Sequence, residues 1–374
     1  MRIIKDIINT DVLIKYLDEI GITDEKLILS EINKSIKSIL QDRVPIDIEL
    51  PEDSILFKEI YPDYDMNLLP QWVIDNIDKA RIIGNAKQTV ILPDGRRYQL
   101  NNILNHLSGG EWVFFTNSVL NTRYLTSGKD SCAHKIRKIH PTPKPPLLMC
   151  DIIKFFTKEN EMILDYFMGV GGSLLGAAMC GRKGVGIDLN NEYIEAYKLA
   201  AKSMEVEEFP TAVGDALSLL SDKELMEAKL NNAPVSLILI DPPYGDMMSK
   251  AKTGADIDVY GATSTPFTNS KNDLGNMERA NFLTALKTSV EMSIHYLKPK
   301  GHIVVFIKDL QPNKKDVNLL HAEIVYKLNE IPNLNFKGLR IWADQTAKLF
   351  PYGYPFSFVA NQIHQYILIF RKEK

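Results

Sequence analysis

The chain has 374 residues, 45% of them apolar and 24% charged, with a formal net charge of −3. That balance belongs to a globular protein too long for one hydrophobic core, with no repeat or low-complexity tract, and no apolar run is long enough to span a bilayer. Three cysteines, Cys132, Cys150 and Cys180, none near another in sequence, exclude a disulfide framework and a structural zinc site and predict reduced thiols in a cytoplasmic protein.

Met1-Arg-Ile-Ile-Lys-Asp lacks the apolar core of a secretory leader, so none is expected. Residues 1–130 read as an accessory region, mixed but mainly helical. Ile32, Ile36 and Ile39 recur at helical spacing within Glu31–Leu40, and Pro45 stops the run. The chain then breaks at Pro51, Pro62 and Pro70. Thr89–Tyr98 predicts a hairpin, with Pro93-Asp94-Gly95 as the turn between short strands. Trp112, Phe114 and Phe115 are either a core patch beneath that hairpin or a base-stacking platform.

Charge is unevenly placed. Residues 1–120 hold 13 basic and 19 acidic residues, whereas residues 121–150 hold six bases (Arg123, Lys129, Lys135, Arg137, Lys138 and Lys144) against the single acid Asp130. A local basic stripe serves phosphates even on an acidic chain. Cys132, His134 and His140 share this stretch at a spacing that fits no common metal site, and no metal is expected.

From Asp151 the pattern alternates strand, glycine turn and helix. Strands are predicted at Met162–Tyr166, Gly184–Asp188, Val235–Ile240 and His302–Lys308, with helices at Leu147–Phe156, Ser173–Cys180 and Asn191–Ser203. Such alternation implies a mostly parallel sheet with helices on both faces. Gly338–Trp342 and His364–Phe370 read as paired strands closing one edge. Residues 131–374 thus form an α/β domain, doubly wound, and ligands in such folds bind beyond the carboxyl ends of the strands.

Three segments carry chemistry there. Asp165-Tyr-Phe-Met-Gly-Val-Gly-Gly-Ser173 follows the first strand, and its glycines let backbone approach a ligand closely. It is neither a dinucleotide fingerprint, since Leu174 stands where glycine is required, nor a phosphate loop, since Arg182 and Lys183 follow Gly181. Gly181 is better explained as a helix terminator. Asp188, ending the second strand, is placed to hold ribose hydroxyls, and Asp215, after the next strand position, to meet an exocyclic amine. At the end of Val235–Ile240 stands Asp241-Pro-Pro-Tyr-Gly245, which joins a carboxylate, a proline-fixed carbonyl and a flat ring. A planar heterocycle bearing an exocyclic amine suits that set: Asp241 and the Pro242 carbonyl accept its N–H groups, and its ring stacks on Tyr244.

These segments, with His140-Pro-Thr-Pro-Lys-Pro145, resemble the DNA amino-methyltransferase family over residues 135–374, the ending Asn361–Arg371 included. The resemblance implies a seven-stranded methyltransferase sheet with an antiparallel edge strand, S-adenosylmethionine as cofactor, and catalysis by Asp241, Pro242, Pro243 and Tyr244. Cofactor contacts are implied for Thr142, Lys144, Asp165, Phe167, Gly169, Gly171, Asp188 and Asp215. Double-stranded DNA is the implied partner, held by Lys135, Arg137 and Lys138, with base flipping and a restriction-modification setting in which a companion restriction or defence subunit has a place; no membrane is involved. Tyr166 stands where the family frequently has proline and Val170 where it has a hydroxyl, and the proline and glycine segments precede Asp-Pro-Pro-Tyr, opposite to many relatives with this proline motif. Adenine N6 is the favoured target, because cytosine N4 enzymes more often carry serine at the place of Asp241. RNA guanine N2 enzymes also carry Asp-Pro-Pro-Tyr-Gly but lack the proline segment, and a catalytically silent DNA-binding subunit stands as the non-enzyme alternative. Ala251–Asn276, rich in small polar residues, is either a segment that closes over DNA or a plain insertion.

Overall fold

The computed structural model describes residues 51, 53–128, 131–245, 270–309, 319–345, 349–351 and 354–374. The chain divides into two compact units between Thr116 and Asn117. That division lies ahead of the expected 130/131 boundary because Val119–Thr122 pairs with the larger unit's sheet. The helix expected within Glu31–Leu40 lies outside the described residues.

The first unit, where described, combines a small sheet with short helices. Strands β1 (Ile55–Leu56), β2 (Arg81–Ile83), β3 (Thr89–Ile91) and β4 (Arg97–Gln99) form an antiparallel sheet in that order. Two one-turn helices, α1 (Phe57–Ile60) and α2 (Gln71–Ile74), accompany it, and α3 (Gly109–Phe115) follows. Proline every ten residues or so stops helices from extending, while Val90, Leu92 and Tyr98 bury with Phe57, Val73 and Ile82 as a small core. The expected hairpin is present. Gly95 takes φ +82°, and Leu92 and Arg96 close the turn, the Leu92 N–H donating to the Arg96 carbonyl at 2.9 Å. Phe115 is buried, whereas Trp112 and Phe114 are partly exposed.

The second unit carries an eight-stranded sheet, one strand more than expected. In chain order its elements are β5 (Val119–Thr122), α4 (His134–Arg137), α5 (Pro146–Phe156), β6 (Met162–Asp165), α6 (Gly172–Met179), β7 (Lys183–Asp188), α7 (Asn191–Ser203), β8 (Thr211–Val213), α8 (Ala216–Ser221), α9 (Lys223–Leu230), β9 (Val235–Ile240), α10 (Arg279–Ser293), β10 (Leu297–Ile307), α11 (Leu320–Leu328), β11 (Leu334–Asp344) and β12 (His364–Lys372). Strand order is β5-β11-β12-β10-β9-β6-β7-β8. Strands β10, β9, β6, β7 and β8 run parallel, and β12 runs antiparallel to both β10 and β11. The expected strands β11 and β12 do pair, but they do not close that edge, because β5 lies outside β11. The added strand is β5, parallel to β11 and tied to it by the Trp342 Nε1–H donating to Thr122 Oγ1 at 2.9 Å.

All six residues of β9 are buried, as a central strand covered on both faces requires. Each of its Leu and Ile side chains contributes about 2 kcal/mol by leaving water. Residues from helices α8 to α11 join the cluster on one face through Leu220, Met226, Phe282 and Ile324, while α5 packs on α6 and reaches β9. The direction of winding reverses beside β6, with β7 on one side and β9 on the other, which opens a crevice at the carboxyl ends of these strands. Among the described residues no helix is long and apolar enough to cross a membrane.

Candidate active site

The glycine turn leaves β6 at Asp165, a carboxylate only 3% exposed. Asp165 Oδ1 accepts the Phe167 N–H at 3.0 Å and Oδ2 accepts the Ser173 hydroxyl, so one side chain fastens both ends of the turn. Burial pushes its pKa up to about 7, against the pull of those two hydrogen bonds, with the Asp241 and Asp188 charges adding to the rise. Asp165 therefore shapes the turn first and faces a ligand only across the small side cavity it shares with Thr142, Lys144, Phe167 and Asp241.

The three glycines have different reasons to be glycine. Gly171, at φ +72°, would place a Cβ 2.1 Å from the Tyr197 ring, and Gly172 would place one 2.7 Å from the Lys144 carbonyl. Both make room for the protein itself, α7 in one case and the proline segment in the other. Only Gly169, at φ +50°, lies along the cleft wall, where a Cβ would stand 3.3 Å from His140 Cδ2. Gly171→Ala is thus expected to destabilise the fold by roughly 3 kcal/mol through overpacking and left-handed strain. Gly169→Ala should cost about 1 kcal/mol and mainly weaken ligand binding. Urea unfolding and calorimetry on the two variants check this ordering.

Asp188 ends β7 half-buried at the cleft. Its Oδ2 accepts the Gly169 N–H at 2.7 Å and its Oδ1 the Asn190 N–H at 2.8 Å. Burial raises it to about 6, partly offset by those backbone donors. Asp215 caps α8: Oδ1 accepts the Leu217 N–H at 3.3 Å and Oδ2 the Ser218 hydroxyl at 3.1 Å. It lines the same cleft, so the helix cap stands at the cleft wall. His140 lines the cleft beside Gly169; its Nδ1 accepts the Thr142 N–H at 3.2 Å and its ring meets Tyr193 edge-on at 4.8 Å. Burial first, then the Lys144 and Arg137 charges, drive His140 down to about 3, which keeps it neutral.

Asp241 emerges from β9 into this cleft together with Pro242, Pro243 and Tyr244. Its Oδ2 is 2.6 Å from the Lys144 ammonium, and its Oδ1 lies 3.4 Å from the Tyr244 hydroxyl. Lys144 is 7% exposed and Asp241 17%. Burial, reinforced by the Asp241 charge, raises the Tyr244 phenol well above its usual range, so Tyr244 is a neutral ring and hydrogen-bond donor. Among the described residues, five carboxylates (Asp165, Asp188, Asp215, Asp241 and Asp273) and two ammoniums (Lys144 and Lys308) border the cleft and its side cavity.

Thr142, Lys144, Asp165, Phe167, Gly169, Asp188, Asp215 and Asp241–Tyr244 come together at the cleft or its side cavity, whereas Gly171 is spent on packing. Arg137 corrects the basic-stripe expectation. It is 1% exposed, and its guanidinium donates from Nε to the Val170 carbonyl, from Nη1 to Cys132 (3.4 Å each) and from Nη2 to Lys144. That leaves it no surface for a phosphate. Lys135 and Lys138 are exposed. Sequence reasoning missed Tyr193, Lys308 and Gln365, which join the cleft walls. Tyr193 lies one turn into α7 after Asp188, a position readable from helical spacing. Gln365 lies on the strand expected at His364–Phe370, but nothing local marks it as cleft-facing; its Oε1 is buried with no hydrogen-bond partner among the described residues. Most of Ala251–Asn276 lies outside the described residues, but Asn272, Asp273 and Leu274 border the cleft.

Residues 87–199 match a family model described as DNA methylase. The chain is 30% identical over 138 residues to the Type II methyltransferase M1.MboII of Moraxella bovis, a match covering 35% of this chain and 50% of that protein. It is 34% identical over 105 residues to the tRNA (guanine(10)-N2)-dimethyltransferase of Pyrococcus abyssi, covering 28% and 30%. With the Type II methyltransferase M2.DpnII of Streptococcus pneumoniae the identity is 44% over 68 residues, covering 18% and 24%. The chain spans half or less of the length of each of these relatives.

Proposed function

We propose that this chain, a relative of the DNA amino-methyltransferases with S-adenosylmethionine as its cofactor, methylates the exocyclic N6 of an adenine flipped out of double-stranded DNA. The observation that carries this reading is the meeting of Asp241 and the Pro242–Tyr244 segment with Gly169, Asp188 and Asp215 in one cleft. The cleft suits the cofactor: it has acidic acceptors for ribose hydroxyls and an adenine amine, and its excess of carboxylates over ammoniums favours a cation.

When bound, the cofactor supplies an electrophilic methyl group on a sulfonium. The protein's part is to prepare the nitrogen. The N6 lone pair is delocalised into the base, so the amine is a weak nucleophile. Asp241 Oδ1 and the Pro242 carbonyl accept its two N–H bonds and favour the tetrahedral nitrogen of the transition state over the planar ground state. Tyr244 lies against the base and fixes its direction of approach. After transfer the nitrogen sheds a proton toward the Asp241 carboxylate. Extracting the base from a duplex costs a few kcal/mol, which phosphate contacts from exposed Lys135 and Lys138 help offset.

The tRNA methyltransferase relative and the shared Asp-Pro-Pro-Tyr-Gly keep a second reading, guanine N2 in RNA. Incubating the purified chain with labelled cofactor and either duplex DNA or tRNA, then analysing the nucleosides by mass spectrometry, separates them. N6-methyldeoxyadenosine is the expected product. N4-methyldeoxycytidine would move the target to cytosine, and N2-methylguanosine from tRNA alone would overturn the DNA reading.

A further inference from the structure

The Lys144–Asp241 contact joins two segments 97 residues apart and is among the most buried ion pairs described. The family resemblance assigns the proline-segment lysine to the methionine end of the cofactor. Its geometry here assigns it elsewhere. We propose that Lys144 is a positioning residue for Asp241: by taking Oδ2 it turns Oδ1 into the cleft as the acceptor for the target amine. This rests on the methyl-transfer reading for its effect on rate, but not for its effect on geometry.

Several observations converge. The Lys144 backbone is itself held, because its carbonyl accepts from the buried Arg137 and packs against Gly172, where no Cβ would fit. Its ammonium also stands 5.5 Å from the Phe306 ring centroid on β10, an attractive arrangement for a cation. The backbone is thus fixed at the carbonyl, and the ammonium meets the Phe306 ring as well as Asp241 Oδ2. A lysine has donors only, so whichever acceptor of residue 241 is nearer to it becomes its partner, and the other atom faces the cleft. Tyr244 touches Oδ1 at 3.4 Å, Asp165 repels the carboxylate from β6, and Asp188, Asp273 and Lys308 line the same cleft.

The logic predicts a change of sign between two backgrounds. In the native chain, Lys144→Met frees the Asp241 carboxylate to turn from the cleft by about 1 Å, with kcat lowered about 100-fold. Lys144→Arg, which keeps charge and donors, recovers much of that loss. In Asp241→Asn, the same lysine captures the amide oxygen and presents the amide NH2 to the target amine, donor against donor. Adding Lys144→Met to Asp241→Asn lets the amide rotate, so the double variant is faster than Asp241→Asn alone. A lysine that merely supported the fold would lower the rate in both backgrounds.

The test uses the full chain in three measurements: crystal structures of the native chain and Lys144→Met, calorimetric binding of S-adenosylmethionine, and kcat with saturating cofactor on duplex DNA. Support is a displaced Asp241 carboxylate, cofactor affinity within about threefold of native and the reversed sign in the Asp241→Asn background. An unmoved Asp241 overturns the proposal. So does a cofactor affinity weakened about tenfold with kcat kept, a loss of about 1.4 kcal/mol that would make Lys144 a cofactor ligand. If the native chain transfers no methyl group to DNA, the functional reading falls, and the position of Asp241 in the Lys144→Met crystal still decides the role of the lysine.

Discussion

Asp241→Asn is expected to lower kcat for DNA methylation by about 1,000-fold, or about 4 kcal/mol, while cofactor affinity changes little. Two losses combine in this nearly isosteric change. The carboxylate charge disappears from a cleft where burial weakens the competing pull of water, so the hydrogen bond to a nitrogen gaining positive charge loses most of its strength. The amide also has a donor end, and Lys144, 2.6 Å away, has no acceptor with which to satisfy it. The amide oxygen therefore faces the lysine and the NH2 faces the target amine. Asp241→Ala removes the charge without adding a donor, so Asp241→Asn should be the slower of the two. Single-turnover methylation of duplex DNA with saturating cofactor measures the ordering. An Asp241→Asn variant with native kcat would remove the carboxylate from the mechanism.

Where an element carries a local signal, the sequence shows it. The helix expected at Asn191–Ser203 and the strand at Val235–Ile240 match the structure, because an unbroken apolar run and a capped amphipathic stretch each state their own period. The glycine turn, Asp188 and Asp241 were legible for a related reason: each follows a strand end, and the winding of an α/β sheet brings strand ends together. What escaped depended on contacts distant in sequence. Strand β5 is four residues long and becomes a strand only because β11 is there to pair with it. Gln365 reads as one more residue of an apolar strand until the antiparallel return of β12 carries it to the cleft. Gly171 reads as ligand-facing until Tyr197 is seen in the space its side chain would fill. The Lys144–Asp241 pair has no sequence signature, since the partners lie on opposite sides of β6 and β7 in the chain.

Arg137→Ala should fail as a protein before it fails as a DNA binder. Composition placed Arg137 with Lys135 and Lys138 in one basic stripe, but four residues of helix turn them in different directions. Arg137 points inward, and burial lowers its pKa to about 10, still far above neutrality, so it stays a buried cation. Its donors serve the carbonyls of Cys132, Lys144 and Val170, which belong to the stripe, the proline segment and the glycine turn. Truncation leaves three carbonyls short of a donor and a void where the stem packed, a loss of roughly 3 kcal/mol or more. For a unit of this size that is a fall in melting temperature of about 6 °C or more. Cofactor binding should weaken with it, because the turn and the proline segment lose their common brace. Lys135→Ala and Lys138→Ala, by contrast, should leave stability within about 0.5 kcal/mol. If both side chains meet phosphates, the double variant lowers the slope of log affinity against log salt by about 2. Thermal unfolding and salt-dependent DNA binding on these four variants separate the brace from the surface charges. An Arg137→Ala chain of native stability with a reduced salt slope would return that residue to the surface role its neighbours suggest.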